Sequence, residues 1–419
     1  MKDLDEPVDE VEARPDQTVW RRRVYFISGF DPNGPRRCYF LYRDEARAQA
    51  EISGYRLKTS RMTYERGAPV VRWTAEMRDG DRKSEADIHM LRWDDIARTW
   101  MRRSLPSTYV LMIRTLWFYL STGSYAALSR ISALSTSLGL YPVAMMLVYI
   151  AVAAGIGFGV YALGAHFGLP FMGVGFGLLA AYIVMRLTRR IDEATFVYYL
   201  LYDFAFTAAH SQGRAPEIDV RITAFADRIA ADWRADDCDE VLIIGHSSGS
   251  AHAAAVVARL LDAGIDQTKG PKLSLLTLGQ NIPMLSFLPG AVQMRKDLRA
   301  LGTSDAVEWI DISTPADAVS YSLTDPVSAS GIVLEGGERR NPRVYSARFW
   351  SAISAEKEAK LRRRYFRIHL QYLCAFDQPQ DYDYFRITAG GNHLGQHFEG
   401  RRETPKLKRG PFIQKRLRQ

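Results

Sequence analysis

The sequence predicts an α/β protein: a mostly parallel central sheet flanked by helices, with a two-helix transmembrane hairpin inserted. Three observations carry this expectation. Short runs of β-branched and aromatic residues recur between stretches of helical periodicity. One such run passes through a small-residue turn straight into an alanine-rich helix. Two long, nearly uncharged stretches lie back to back in the 419-residue chain.

The length suits one large α/β domain plus an extra module, and 47% apolar against 24% charged residues means that most of it should fold. The three cysteines, Cys38, Cys238 and Cys374, are far apart and odd in number, so a disulfide framework and a metal-ligand spacing are both unexpected and a reducing compartment fits. Net charge is +8 and the isoelectric point about 9.3. No aromatic–basic module or DNA-reading helix accompanies that charge, so no nucleic-acid partner is expected. The basic residues gather beside the uncharged stretches and in the tail, which points to anionic lipids at a membrane surface.

Residues 1–20 are acidic, lack the apolar core of a signal peptide, and read as a flexible lead. Residues 21–106 should form the N-terminal part of the sheet domain. Val24-Tyr25-Phe26-Ile27-Ser28 is a buried strand that stops at Gly29, and Asp31-Pro32-Asn33-Gly34 then turns the chain. A helix over 36–50 follows, then strands over 70–76 and around 89–93, with the turn Asp79-Gly80-Asp81 between them.

Residues 107–190 form the inserted module. From 109 to 137 the chain is amphipathic and aromatic, with Trp117, Phe118 and Tyr119. Residues 140–163 carry no charge and 167–187 carry only Arg186, and each stretch is long enough to cross a hydrocarbon core ~30 Å thick. Gly164-Ala165-His166 allows a tight link. Gly155, Gly157, Gly159, Gly173, Gly175 and Gly177 would let the helices pack closely. Arg102, Arg103, Arg114 and Arg130 precede the pair, Arg186, Arg189 and Arg190 follow it, and the link has no Lys or Arg. That asymmetry places both ends, and the polar body, on the cytoplasmic side of an inner membrane.

Residues 191–400 should complete the domain. An aromatic interfacial helix over 193–210 precedes a helix over 216–235, periodic in Ile218, Val220, Ile222, Phe225, Ile229 and Trp233. Strands are expected over 241–244, 273–278, 307–312 and 384–387, with a polar loop over 325–346. The tail, 401–419, holds eight Lys/Arg and one Glu and suits anionic lipids.

The strongest local signal is Gly245-His246-Ser247-Ser248-Gly249, which follows Glu240-Val241-Leu242-Ile243-Ile244 and opens a helix ending near Leu261. A serine nucleophile must stand on a sharp turn so that its Oγ projects above the sheet, with glycines two before and two after to avoid clashes. The following helix aims unpaired N–H groups at developing negative charge. His246 reads as packing. A serine alcohol also needs a base and an orienting acid. Asp317 lies on the loop after the 307–312 strand and is the expected acid, with Asp311 and Asp325 as alternatives. His393, on Gly390-Gly391-Asn392-His393 after the 384–387 strand, is the expected base, with His397 its rival. The oxyanion donors should be the backbone N–H groups of Ser248 and Phe30. The chain lacks HExxH, paired CxxC and GxxxxGK[ST], so neither metal nor cofactor is expected.

These residues, with Leu276-Thr277-Leu278-Gly279 one unit later, resemble the α/β-hydrolase superfamily, and within it the lipase/esterase-like serine hydrolases, over roughly 24–50 and 215–400. The resemblance implies an eight-stranded, mostly parallel sheet and cleavage of a carboxylic ester through an acyl-serine intermediate. The chain departs from the family in its inserted hairpin and in Ser28-Gly29-Phe30 where many relatives carry His-Gly. A membrane setting suits an ester or lipid-like substrate. The other class of function consistent with the sequence is an inactive hydrolase-fold scaffold or binding protein at the membrane.

Overall fold

A computed structural model describes residues 20–235, 237–265, 270–334, 338–362 and 364–404. The acidic lead and most of the basic tail lie outside the described residues. The protein is α/β, built on a mixed nine-stranded sheet flanked by helices. The strands are β1 (Trp20–Ile27), β2 (Arg56–Thr59), β3 (Thr63–Tyr64), β4 (Val70–Asp79), β5 (Arg82–Leu91), β6 (Glu240–His246), β7 (Lys272–Leu278), β8 (Glu308–Ser313) and β9 (Arg343–Ser346). Their order is β2-β4-β5-β1-β6-β7-β8-β9, with β3 paired to β4.

β1 runs parallel to both β5 and β6, and β6 to β9 are mutually parallel. β2, β3 and β5 pair antiparallel with β4. Every residue of β6 is buried, which explains why Val241-Leu242-Ile243-Ile244 shows no polar alternation. Along β1 alternation decides the face. Val24 and Phe26 enter one core, and Tyr25 and Ile27 enter the core on the other side of the sheet.

Register sets the site. Ile27 pairs with Gly245, His246 with Leu278, and Leu278 with Ile312. The carboxyl ends of β1, β6, β7 and β8 therefore share one edge. From β1 the chain leaves toward β2–β5, and from β6 toward β7–β9. That divergence opens the crevice where open α/β sheets place ligands.

Two expected elements differ. Residues 384–387 belong to a helix, Tyr384–Ala389, although Tyr, Phe and Ile favour strands. The Asp383 carboxylate caps it, accepting the N–H groups of Phe385 and Arg386, and Phe385 packs on Tyr42. The last strand, β9, instead lies inside the stretch expected to be a polar loop.

Helices Tyr141–His166 and Pro170–Thr188 form an antiparallel pair, each long and apolar enough to cross a membrane. Their outer surfaces are bare apolar side chains: Phe158 is 69% and Phe171 92% exposed. The turn falls at 167–169 rather than 164–166. Only some of the glycines make the contact. A Cβ on Gly177 would stand 2.5 Å from the Gly157 carbonyl oxygen, while Gly155, Gly159 and Gly175 face open space. The base of the pair is tied to helix Val197–Ser211. Tyr141 Oη donates to the Thr195 carbonyl just before it, and the Tyr198 and Thr188 hydroxyls share a 2.7 Å bond.

Candidate active site

Ser247 follows β6 and precedes helix Gly249–Asp262. Its φ is 59°, a left-handed conformation that a non-glycine residue adopts only when its surroundings impose it. Backbone bonds impose it here. Ser247 N–H donates to Leu278 O (3.0 Å), and Ser247 O accepts from Ser250 N–H (3.1 Å) and Asn281 N–H (3.3 Å). The turn is also too tight for side chains at its flanks. A Cβ at 245 would meet Ser250 Cα at 2.5 Å, and one at 249 would meet Ser28 O at 2.4 Å. The spacing seen in the sequence is thus a packing requirement.

Asp317 lies on the loop after β8, 1% exposed. Its Oδ2 is 2.7 Å from His369 Nδ1, and its Oδ1 accepts from Val319 N–H at 2.9 Å. Burial disfavours the charged carboxylate, but the His369 charge and the hydrogen bonds of His369 and Val319 outweigh it and hold Asp317 below the usual carboxylate range. His369 sits on helix Tyr365–Leu370 and lines the same cavity as Ser247. Its Nε2 is buried and has no hydrogen-bond partner among the described residues. His246 supports it from below: its Nε2 lies 3.0 Å from the His369 carbonyl oxygen. Burial, then the neighbouring His369 charge, push His246 down to about 3, so it stays neutral and donates that bond.

His393 is elsewhere. Its ring stacks edge-on against Trp20 at 5.6 Å, at the start of β1. Ser247 lies past the other end of that eight-residue strand, so about 25 Å separates the two at ~3.3 Å per residue. The expectation that His393 serves Ser247 is therefore overturned. Its loop is fastened to the buried Arg22, which donates to the carbonyls of Ile387 and Gly390 and pairs with Glu240. His397 belongs to the same end, near Arg22 and Glu240, and burial lowers it to about 4. Asp311 lies inside β8, bound by Thr277 Oγ1 at 2.6 Å, and Asp325 caps helix Pro326–Ala329.

Phe30 and Ser248 meet beside the turn. Phe30 N–H donates to Ser248 Oγ at 3.0 Å. Ser248 is the N-terminal cap of helix Gly249–Asp262, where the first N–H groups have no intrahelical acceptor. The Ser248 hydroxyl also lies near the carboxylate of Asp203, on helix Val197–Ser211. Asp203 is 6% exposed, and its Oδ1 has no partner among the described residues. Burial pushes it up to about 7, opposed by the neighbouring Ser248 hydroxyl and the His369 charge. The Asn281 side chain lies 3.3 Å from Ser247 Oγ. With its amide nitrogen on Val319 O (3.0 Å) and Gln280 O (3.2 Å), its carbonyl accepts from the serine.

The cavity over Ser247 has a volume of about 1010 Å³. Phe196, Tyr199, Leu200, Phe204, Phe366 and Leu370 make much of its wall. It reaches Tyr141, the first residue of one hairpin helix, and Glu193–Thr195, a few residues past the other. Among the described residues, no group of three or more His, Cys, Asp or Glu side chains is placed to hold a metal ion.

Sequence reasoning missed His369 and Asp203. His369 also satisfies the order serine, acid, histidine, but it lies on a helix, whereas the apparent strand at 384–387 drew attention to His393. Asp203 carries a simpler signal, as the one acid in the aromatic run Val197–Ser211. Comparisons with protein-family models, with curated proteins and with solved structures find no match for this chain.

Proposed function

We propose that this chain is a membrane-anchored serine hydrolase of the α/β-hydrolase type that cleaves a carboxylic ester through an acyl-serine intermediate. The observation that carries the reading is the 2.7 Å Asp317–His369 pair, whose histidine lines one cavity with a serine on a left-handed turn.

In this mechanism Ser247 Oγ leaves Asn281 for His369 Nε2 as the ester binds, since such contacts commonly tighten only in the complex. His369 takes the hydroxyl proton as Oγ attacks the carbonyl carbon. Asp317 holds the Nδ1–H tautomer and stabilises the imidazolium. The oxyanion faces the N–H of Ser248 and that of Phe30, which gives up Ser248 Oγ to reach it; such a donor is typically worth ~3 kcal/mol in the transition state. His369 then protonates the leaving alcohol, and water enters by the same steps reversed in role.

The membrane setting rests on the hairpin and on a second apolar surface. Helix Leu105–Ser121 leaves Val110, Ile113, Trp117 and Leu120 exposed, spaced to form one stripe. Its Tyr109 hydroxyl donates to Met146 O of the hairpin, so stripe and hairpin adjoin. We place both hairpin ends and the sheet domain on the cytoplasmic side, as the flanking arginines favour, with the basic tail against anionic lipids.

A fluorophosphonate probe tests the reading. It should label the purified protein and fail to label Ser247→Ala. A folded wild type that stays unlabelled refutes catalysis and leaves an anchored binding protein. Among p-nitrophenyl esters of graded length, the aromatic cavity should favour long acyl chains.

A further inference from the structure

The cavity over Ser247 has a cationic side that ester cleavage alone does not require. Arg37, Arg364 and Arg367 line it, and Arg37 is engaged by Asp31 at 3.4 Å. Arg364 and Arg367 are exposed, and among the described residues neither has a carboxylate within ion-pair distance. A second cavity of about 510 Å³ adjoins the first, and the two share Arg364, Arg367 and Leu370 as a common wall. Lys357 and Lys360 line its far side, each already paired, with Asp377 and Glu356. Of the carboxylates in the two linings, Glu45 accepts from Ala375 N–H, and neither it nor Glu193 is within ion-pair distance of Arg364 or Arg367, so the unpaired positive charge concentrates on the two guanidinium groups between the cavities. They lie within six residues of His369 on one short segment.

We propose that the substrate is an amphiphile whose phosphate-class head group sits on Arg364 and Arg367, with its acyl chain along the aromatic wall toward the hairpin. This rests on the hydrolase reading. Two guanidinium forks can share the several oxygens of a phosphate, each by charge-assisted bonds, whereas a neutral glycerol head offers them no charge. The chain end of such a molecule would lie where the cavity meets Tyr141 and Thr195, at the base of the membrane hairpin.

The test uses full-length protein in neutral detergent and an uncleavable ligand, a 1-O-alkyl-glycerol 3-phosphate, against the 1-O-alkylglycerol of equal chain length. The phosphate ligand should bind about tenfold tighter or more, as two charge-assisted contacts allow. In an Arg364→Gln/Arg367→Gln variant that preference should fall to near one, with affinity for the neutral ether unchanged. Arg364→Lys, which keeps the charge, should retain part of it. Equal binding of the two ethers by wild type overturns the proposal, as does a preference that survives the double variant. Glycerol 3-phosphate binding as tightly as the ether lipid would also overturn it, because the site would then hold free phosphate. Hydrolysis of the matching acyl esters is read separately. Selective ether binding without cleavage would sink the hydrolase reading and leave the head-group site standing.

Discussion

Replacing His369 and His393 in turn separates the two histidines that could serve Ser247. His369→Ala removes the proposed base and breaks the buried 2.7 Å bond to Asp317. Loss of the base in a serine–histidine pair costs about 10⁴ to 10⁶ in kcat, or roughly 5–8 kcal/mol of transition-state stabilisation. His393→Ala acts from about 25 Å away, at the far end of eight-residue β1. Even a full charge at that distance contributes under about 0.3 kcal/mol in a water-like dielectric, less than a twofold change in rate. The assay is steady-state hydrolysis of a long-chain p-nitrophenyl ester, with melting temperature measured alongside because His393 packs on Trp20. His369→Ala should be nearly dead and His393→Ala nearly wild type. The reverse ranking in two folded variants would refute the assignment, and Asp317 would then be orienting the wrong ring.

Asp203, raised to about 7 by burial, binds its proton more tightly folded than unfolded, so its stabilising contribution is complete below about pH 4 and disappears as pH rises through 7. The difference is of order 4 kcal/mol at most, and Asp203→Asn should flatten the fall in melting temperature between pH 5 and pH 8; an unchanged slope refutes this. Gly249→Ala forces a Cβ to within 2.4 Å of Ser28 O, which should cost about 1–3 kcal/mol or more and abolish probe labelling of Ser247. A variant labelled at the wild-type rate would show that the turn tolerates the methyl group. In the hairpin, Gly177→Leu collides with Gly157 and should lower the melting temperature in detergent, while Gly175→Leu faces open space and should not. Equal effects would mean that the glycines do not set the helix contact.

The parts legible in the sequence were those fixed by local chemistry. The Gly245–Gly249 turn announces itself because the same few residues that form it are the ones it crowds. The hairpin does so because its two stretches combine length with near-absence of charge. Asp317 could be singled out because β8 could be recognised and the acid lies on the loop after it, but the histidine it meets is His369 and not the expected His393. His369 was hidden because its partner is brought to it by packing rather than by neighbours in the chain. A cap by Asp383 and contact with Tyr42 turned Tyr384-Phe385-Arg386-Ile387 into helix, which removed the strand that made His393 attractive. β9, four residues long and within a polar stretch, is recruited by β8 beside it and has no periodicity of its own to show. Asp203, Ser248 and Phe30 come together from three separate segments, and only the oddity of one acid among aromatics hinted at it.

The position of β1 bears on how the molecule is made. It lies between β5 and β6, yet roughly 150 residues separate Leu91 from Glu240. A ribosome adding ~5–20 residues per second spends about 10–30 s on that interval. Throughout it β1 keeps one bare edge, an invitation to pair with other chains. Both hairpin helices emerge within the same interval, so the sheet cannot close before the hairpin has been synthesised. Chains stalled before residue 240 should be cut within β1 by added protease, and chains stalled beyond 313 should resist. Synthesis order thereby ties closure of the crevice over Ser247 to the prior appearance of the helical hairpin.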